Sequence, residues 1–88
     1  MTIELIRIEA AGERALDLVF SDGSRGRWSA DAVIARDRVL TRPLGDSTYF
    51  ERAFIEAGAL AWPNGLEVSA HSLHAKLAEA GVLVRKAA

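Results

Sequence analysis

Ala59-Leu60-Ala61-Trp62-Pro63-Asn64-Gly65-Leu66-Glu67-Val68-Ser69-Ala70-His71-Ser72-Leu73 decides the fold, because it sets a strand, a tight turn and a capped helix in immediate succession. Leu60 and Trp62 alternate with small residues, as a half-buried strand requires. Pro63 has no amide hydrogen to donate, so ladder pairing ends there. Pro63-Asn64-Gly65 is turn chemistry: proline sets φ for the first central position, and Asn64 and Gly65 tolerate the positive φ that reverses a chain. Ser69 is a good N-cap, since its hydroxyl can accept an otherwise orphaned amide hydrogen. Val68 before the cap and Leu73 four residues beyond it form a hydrophobic staple. Leu73, Leu77 and Ala80 continue as one apolar stripe, and Gly81 suits the left-handed residue that ends a helix.

Upstream of this stretch, Ala53–Glu56 and Ala59–Trp62 read as a hairpin. A loop of Ala57 and Gly58 pairs Ile55 with Leu60 and Ala53 with Trp62, which gathers the apolar groups on one side. Ala57 fits poorly, because a primed turn needs positive φ at both central positions.

The N-terminal half carries an earlier hairpin. Thr2–Ala10 is apolar and extended in character, with a change of phase between Leu5 and Ile6 that a bulge would absorb. Ala11-Gly12-Glu13 is a turn. Arg14–Ser21 then alternates, with Leu16, Leu18 and Phe20 on one face and Asp17 on the other. Side-chain parity selects the next turn. A two-residue Asp22-Gly23 loop would pair Leu18 with Arg27 and Phe20 with Arg25, driving two arginines onto the buried face at high cost. A three-residue loop with Gly23 left-handed pairs Leu16 with Trp28 and Leu18 with Gly26, and sets Asp17 opposite Arg27 outside. The three-residue loop is the expected one, leading into Arg25–Ala30.

Between the hairpins, Ala30–Arg36 reads as a short helix with Asp31 as its cap and Val33 and Ile34 buried. Arg38–Leu44 reads as an irregular crossover pinned to the sheet by Val39, Leu40 and Leu44. Asp46 is expected to cap one helical turn through Thr48, Tyr49 and Phe50, whose adjacent aromatics form a lid on the core. The expected fold is α+β, an antiparallel sheet of two hairpins with a short helix between them and a C-terminal helix packed on it. Trp28 and Trp62 are its core anchors. Val82, Leu83 and Val84 could add an edge strand, dock on the core or enter a homodimer contact, with Arg85 onward frayed.

The totals agree with a single domain over residues 1–88. Half of the 88 residues are apolar and 26% are charged, which is ordinary for a globular chain and too apolar for a disordered one. The absence of cysteine excludes thiolate metal sites, disulfides and a Cys nucleophile. Glu4 and Arg7 interrupt the N-terminal apolar residues, so neither a signal peptide nor a membrane span is expected, and a cytoplasmic location is the default.

Net charge is −1, which makes a polyanion a poor obvious partner. The distribution is uneven, however. Arg25, Arg27, Arg36, Arg38 and Arg42 against Asp31 and Asp37 give a local +3, leaving the rest at −4. Nine of the eleven basic residues are arginine, which favours bidentate contacts with carboxylate or phosphate. These five arginines are the candidate partner or nucleic-acid surface; their bland counterpart is a solvated charged face.

The local wording resembles a bacterial family of small uncharacterised proteins, domain of unknown function 2442. The matching pieces are Phe20-Ser21-Asp22-Gly23, Pro43-Leu44-Gly45-Asp46 before Tyr49 and Phe50, and above all Trp62-Pro63-Asn64-Gly65 followed by acidic Glu67. The resemblance covers nearly the whole chain to about Leu77. It implies a compact α+β fold with an antiparallel sheet and a C-terminal helix. It also implies a module joined in some relatives to a helix-turn-helix domain, or encoded beside other small genes as regulatory or toxin–antitoxin-like pairs are. No catalytic residue comes with it. The chain departs from the pattern at Glu67, where aspartate is expected, in its apolar tail, and in carrying no helix-turn-helix segment.

Other chemistry is poorly provided for. His71 and His74 stand three apart on the last helix with Glu67 before it, but zinc needs three or four converging ligands and no further histidine exists, so solvent-facing histidines are expected. Ser69 or Ser72 with a histidine and an aspartate could be written as a triad, yet no Gly-x-Ser-x-Gly elbow is present. No phosphate-cradling glycine pattern appears, and Glu56 with Glu67 has no evident partner geometry. The expectation is therefore no cofactor, no catalytic set, and a non-enzymatic interaction or regulatory module. Its partner would be a protein or a second copy, met through the C-terminal tail or a sheet edge; a nucleic-acid binder using the arginines between 25 and 42 is the alternative.

Overall fold

The computed structural model describes residues 2–85. Three strands open the chain: β1 (Leu5–Ala10), β2 (Ala15–Phe20) and β3 (Arg25–Ser29) form an antiparallel sheet in that order. The parity argument holds residue by residue, with Leu16 opposite Trp28, Asp17 opposite Arg27 and Leu18 opposite Gly26. The Phe20 amide donates to the Ser24 carbonyl, and Gly23 takes φ +87° in the loop between them. Leu16, Leu18, Phe20 and Trp28 are buried together, while Arg25 and Arg27 point out. The change of phase in β1 is a bulge. Leu5 pairs with Phe20 and Arg7 with Val19, so Ile6 is the extra residue, and it stands 61% exposed.

Two short helices follow. In α1 (Asp31–Ala35) the N-cap is Ala30, without a side-chain cap bond, so Asp31 does not cap the helix as expected. It lies one residue further in, its amide bonded to the Ser29 hydroxyl and its carboxylate to Arg14. Val33 and Ile34 are only half-buried. The crossover is also looser than its composition suggests. Leu44, in a 3-10 turn over Arg42–Gly45, is fully buried, but Val39 and Leu40 are exposed. Thr41 is the second anchor there, its hydroxyl receiving the Arg38 amide. As expected, the Asp46 carboxylate accepts from the Thr48 amide and caps α2 (Ser47–Phe50).

The antiparallel architecture is divided into two sheets. The second consists of β4 (Phe54–Glu56), β5 (Ala59–Ala61) and β6 (Glu67–Val68), with Ile55 opposite Leu60 and Leu60 opposite Val68. The Ala57-Gly58 turn has φ +50° and +81°, so alanine does occupy a left-handed position. Pairing of β4 with β5 stops at Phe54 and Ala61, one residue before Ala53 and Trp62. The two sheets meet where the Leu5 amide donates to the Gly58 carbonyl; a small cavity of about 120 Å³, lined by Ile8, Ala10, Leu16, Phe50 and Ala53, lies between the first sheet and the end of α2. Glu67 and Val68, read from sequence only as a lead into the last helix, form the third strand.

The helix α3 (Ala70–Glu79) is capped at its start by Ser69, whose hydroxyl accepts from the Ser72 amide. It ends in a Schellman closure. The Gly81 amide (φ +72°) bonds to Ala78 and the Val82 amide to Leu77. Ala70, Leu73 and Leu77 are its buried face. Gly26 of β3 makes that approach possible, because a Cβ there would sit 3.0 Å from the Leu77 Cδ1 and 3.2 Å from the Val82 carbonyl oxygen. The tail then turns back along β3, where Val84 and Arg25 exchange backbone bonds of 2.8 and 2.7 Å. Residues 86–88, part of the segment expected to fray, lie outside the described residues.

Candidate functional site

Three places concentrate polar chemistry, and the first is the Trp62-Pro63-Asn64-Gly65 turn. The Gly65 amide returns to the Trp62 carbonyl, and Gly65 alone has positive φ, at +93°; Asn64 does not share it. Instead Asn64 spends its side chain. Its Nδ2 donates to the Leu40 carbonyl at 3.1 Å, its Oδ1 accepts from the Leu66 amide, and its own amide donates to the Tyr49 hydroxyl. Trp62 is buried, and its indole N–H reaches the Phe50 carbonyl at 3.1 Å. Its ring lies 5.8 Å from that of Phe50 and 6.3 Å from that of Trp28. The motif therefore ties the crossover, α2 and the second sheet together, which gives Trp62, Asn64 and Gly65 each a structural role.

The second place is Asp22 with Ser24 and His74. The Ser24 hydroxyl and amide both donate to Asp22 Oδ1, and His74 Nε2 lies 3.0 Å from Oδ2. The two donations from Ser24, with a smaller contribution from His74, hold the Asp22 carboxyl down to about 2. His74 is largely buried, edge-on to Phe20 at 5.1 Å, so it is not the solvent-facing residue expected; His71 is exposed. The carboxylate sits between serine and histidine. A hydrolytic triad needs the histidine in the middle, where it can take the serine proton. With Ser24 only 1% exposed, the arrangement latches the first hairpin turn onto α3. Ser69 is spent as a cap, and no group of three metal-ligating side chains converges among the described residues.

The third place is a groove of about 640 Å³ on the outer face of the first sheet. Strand alternation puts Arg7, Val19 and Arg25 in one row across the three strands, and Glu9, Asp17 and Arg27 in the next. Val82 and Val84 of the tail wall it beside β3. Arg27 holds Asp17 through Nε at 2.8 Å and a second nitrogen at 3.2 Å, which keeps the Asp17 carboxyl below its ordinary range. Arg7 pairs with Glu9. Arg25 has no ion-pair partner among the described residues.

The five arginines read as one surface are thus divided. Arg25 and Arg27 line the groove, whereas Arg36, Arg38 and Arg42 do not, and Arg42 is held by Asp37 at 2.7 Å. Arg7 completes the groove although it lies outside the arginine-rich segment, and its place depends on the bulge at Ile6. Parity counted from Arg7 through that bulge was the signal that could have found it.

No helix among the described residues is long and apolar enough to cross a membrane. Comparison with known proteins returned nothing: no family model matches the chain, and no curated protein or solved structure is significantly similar to it.

Proposed function

We propose that the protein is a non-enzymatic interaction module of the kind that domain of unknown function 2442 suggests, a regulatory or toxin–antitoxin-like partner acting in the cytoplasm. The observation that carries this reading is the tail. Val82 and Val84 stand 46% and 55% exposed although the segment is held in place by its exchange of backbone bonds with Arg25. An ordered apolar segment on a sheet edge is suited to meeting another protein or a second copy of the chain. The nucleic-acid alternative has less support, since two of its five arginines are engaged by carboxylates.

Light scattering on the full chain, alone and co-expressed with the product of the adjacent gene, tests the proposal. A mass above that of one chain, returning to the monomer when residues 82–88 are deleted, is the expected result. A monomer in every case would overturn the tail as the contact.

A further inference from the structure

We infer that the groove on the outer face of the first sheet receives an extended acidic segment of the partner protein, with a carboxylate at Arg25 and an aliphatic side chain against Val19, Val82 and Val84. This rests on the interaction-module reading and names the chemistry of the partner. The volume, about 640 Å³, falls within the roughly 300–1,000 Å³ over which protein pockets hold ligands.

Charge decides the sign of the occupant. Three arginines against two carboxylates leave one positive charge in excess, and the excess is localised, because Asp17 and Glu9 are already held by Arg27 and Arg7. Arg25 is the groove guanidinium whose bidentate fork is unspent among the described residues, and such a fork suits a carboxylate. Apolar area decides the rest. Val19 lies between Arg7 and Arg25 in the cross-strand row, and Val84 is directly opposite Arg25 on the tail. An anion without a carbon skeleton would leave these valines wet, whereas acidic and aliphatic residues alternating along a strand would meet both features. A basic segment would face the excess charge with no free carboxylate to receive it.

At 9.5 kDa the full chain suits amide chemical-shift mapping. The probe is the pentapeptide acetyl-Glu-Val-Glu-Val-Glu-amide, with its lysine counterpart as control. Shifts confined to Arg7, Val19, Arg25 and Val84, with none from the lysine peptide, are expected. Arg25→Glu reverses the seat, and Val84→Asp supplies a carboxylate from the tail opposite Arg25; each should weaken binding at least tenfold. Arg36→Glu, outside the groove, should leave it unchanged. The same spectra report whether each variant is folded. Equal response to both peptides, shifts elsewhere, no shifts at all, or undiminished binding by folded Arg25→Glu would each overturn the assignment. The two proposals fail separately. A protein complex that forms undiminished with Arg25→Glu removes the groove and keeps the module, while groove shifts in a chain that forms no complex do the reverse.

Discussion

The two sheets of this protein are stabilised differently. The first has strands of five and six residues, a ladder interrupted at the Ile6 bulge, and a buried row of Leu16, Leu18, Phe20 and Trp28. The second has strands of only two or three residues, too short for a ladder to hold by itself, and is fastened instead by side chains that reach main-chain groups of other elements. Trp62 and Asn64 supply those bonds. Where strands shorten, a few specific polar contacts take over from repeated backbone pairing, and loss of one such residue weighs more.

The largest test of that contrast is Trp62→Ala. It removes the ring that packs on both Phe50 and Trp28 and takes from the Phe50 carbonyl one of its two donors, leaving the Ala53 amide, so a loss of about 3–5 kcal/mol is expected in denaturant unfolding. In the first sheet, Gly26→Ala forces a methyl against Leu77 and the Val82 carbonyl, costing about 1–3 kcal/mol by the same measurement and loosening the tail. Asn64→Ala strips two side-chain bonds from the second sheet and should cost roughly 1–2 kcal/mol, with earlier hydrogen exchange at Leu66 than at Leu18.

These residues also mark how far sequence could be read. The register of the first hairpin and its Gly23 loop were legible because only one arrangement kept arginines out of the core, whereas the bulge, the Ser69 cap and the Gly81 stop were legible from side-chain phase, cap chemistry and glycine's freedom of φ. The division into two sheets, the strand at Glu67–Val68 and the exposure of Val39 and Leu40 were not. Apolar residues in an irregular crossover carry no period, so nothing in them says which will be covered. The resemblance to domain of unknown function 2442 found no support from similar proteins, and Trp62, Asn64 and Gly65 of the turn motif that suggested it have structural roles in this chain.

Two smaller effects sharpen the contrast. Asp22 titrates near 2 in the folded chain against about 3.8 for an ordinary aspartate, so it contributes stability that is complete above that ordinary value and lost as pH falls through the folded one. Acid unfolding of Asp22→Asn should therefore show a shallower decline between pH 4 and 2, and the first hairpin turn should lose its pH-sensitive link to α3. Smallest of all, Ala57→Gly relieves a left-handed alanine at φ +50° and should raise stability by less than about 1 kcal/mol, read as a small rise in melting temperature.

Sequence by itself determined where this chain turns and which side of each long strand is buried, because those choices depend on neighbours a few residues away and on the alternation of side chains. Only the tertiary structure decided which polar groups meet. His74 finds Asp22 across 52 positions, Asn64 finds Leu40 across 24, and Arg7 joins Arg25 across three strands. Those encounters are set by how helix, crossover and sheets close on one another, and no spacing within a segment encodes them.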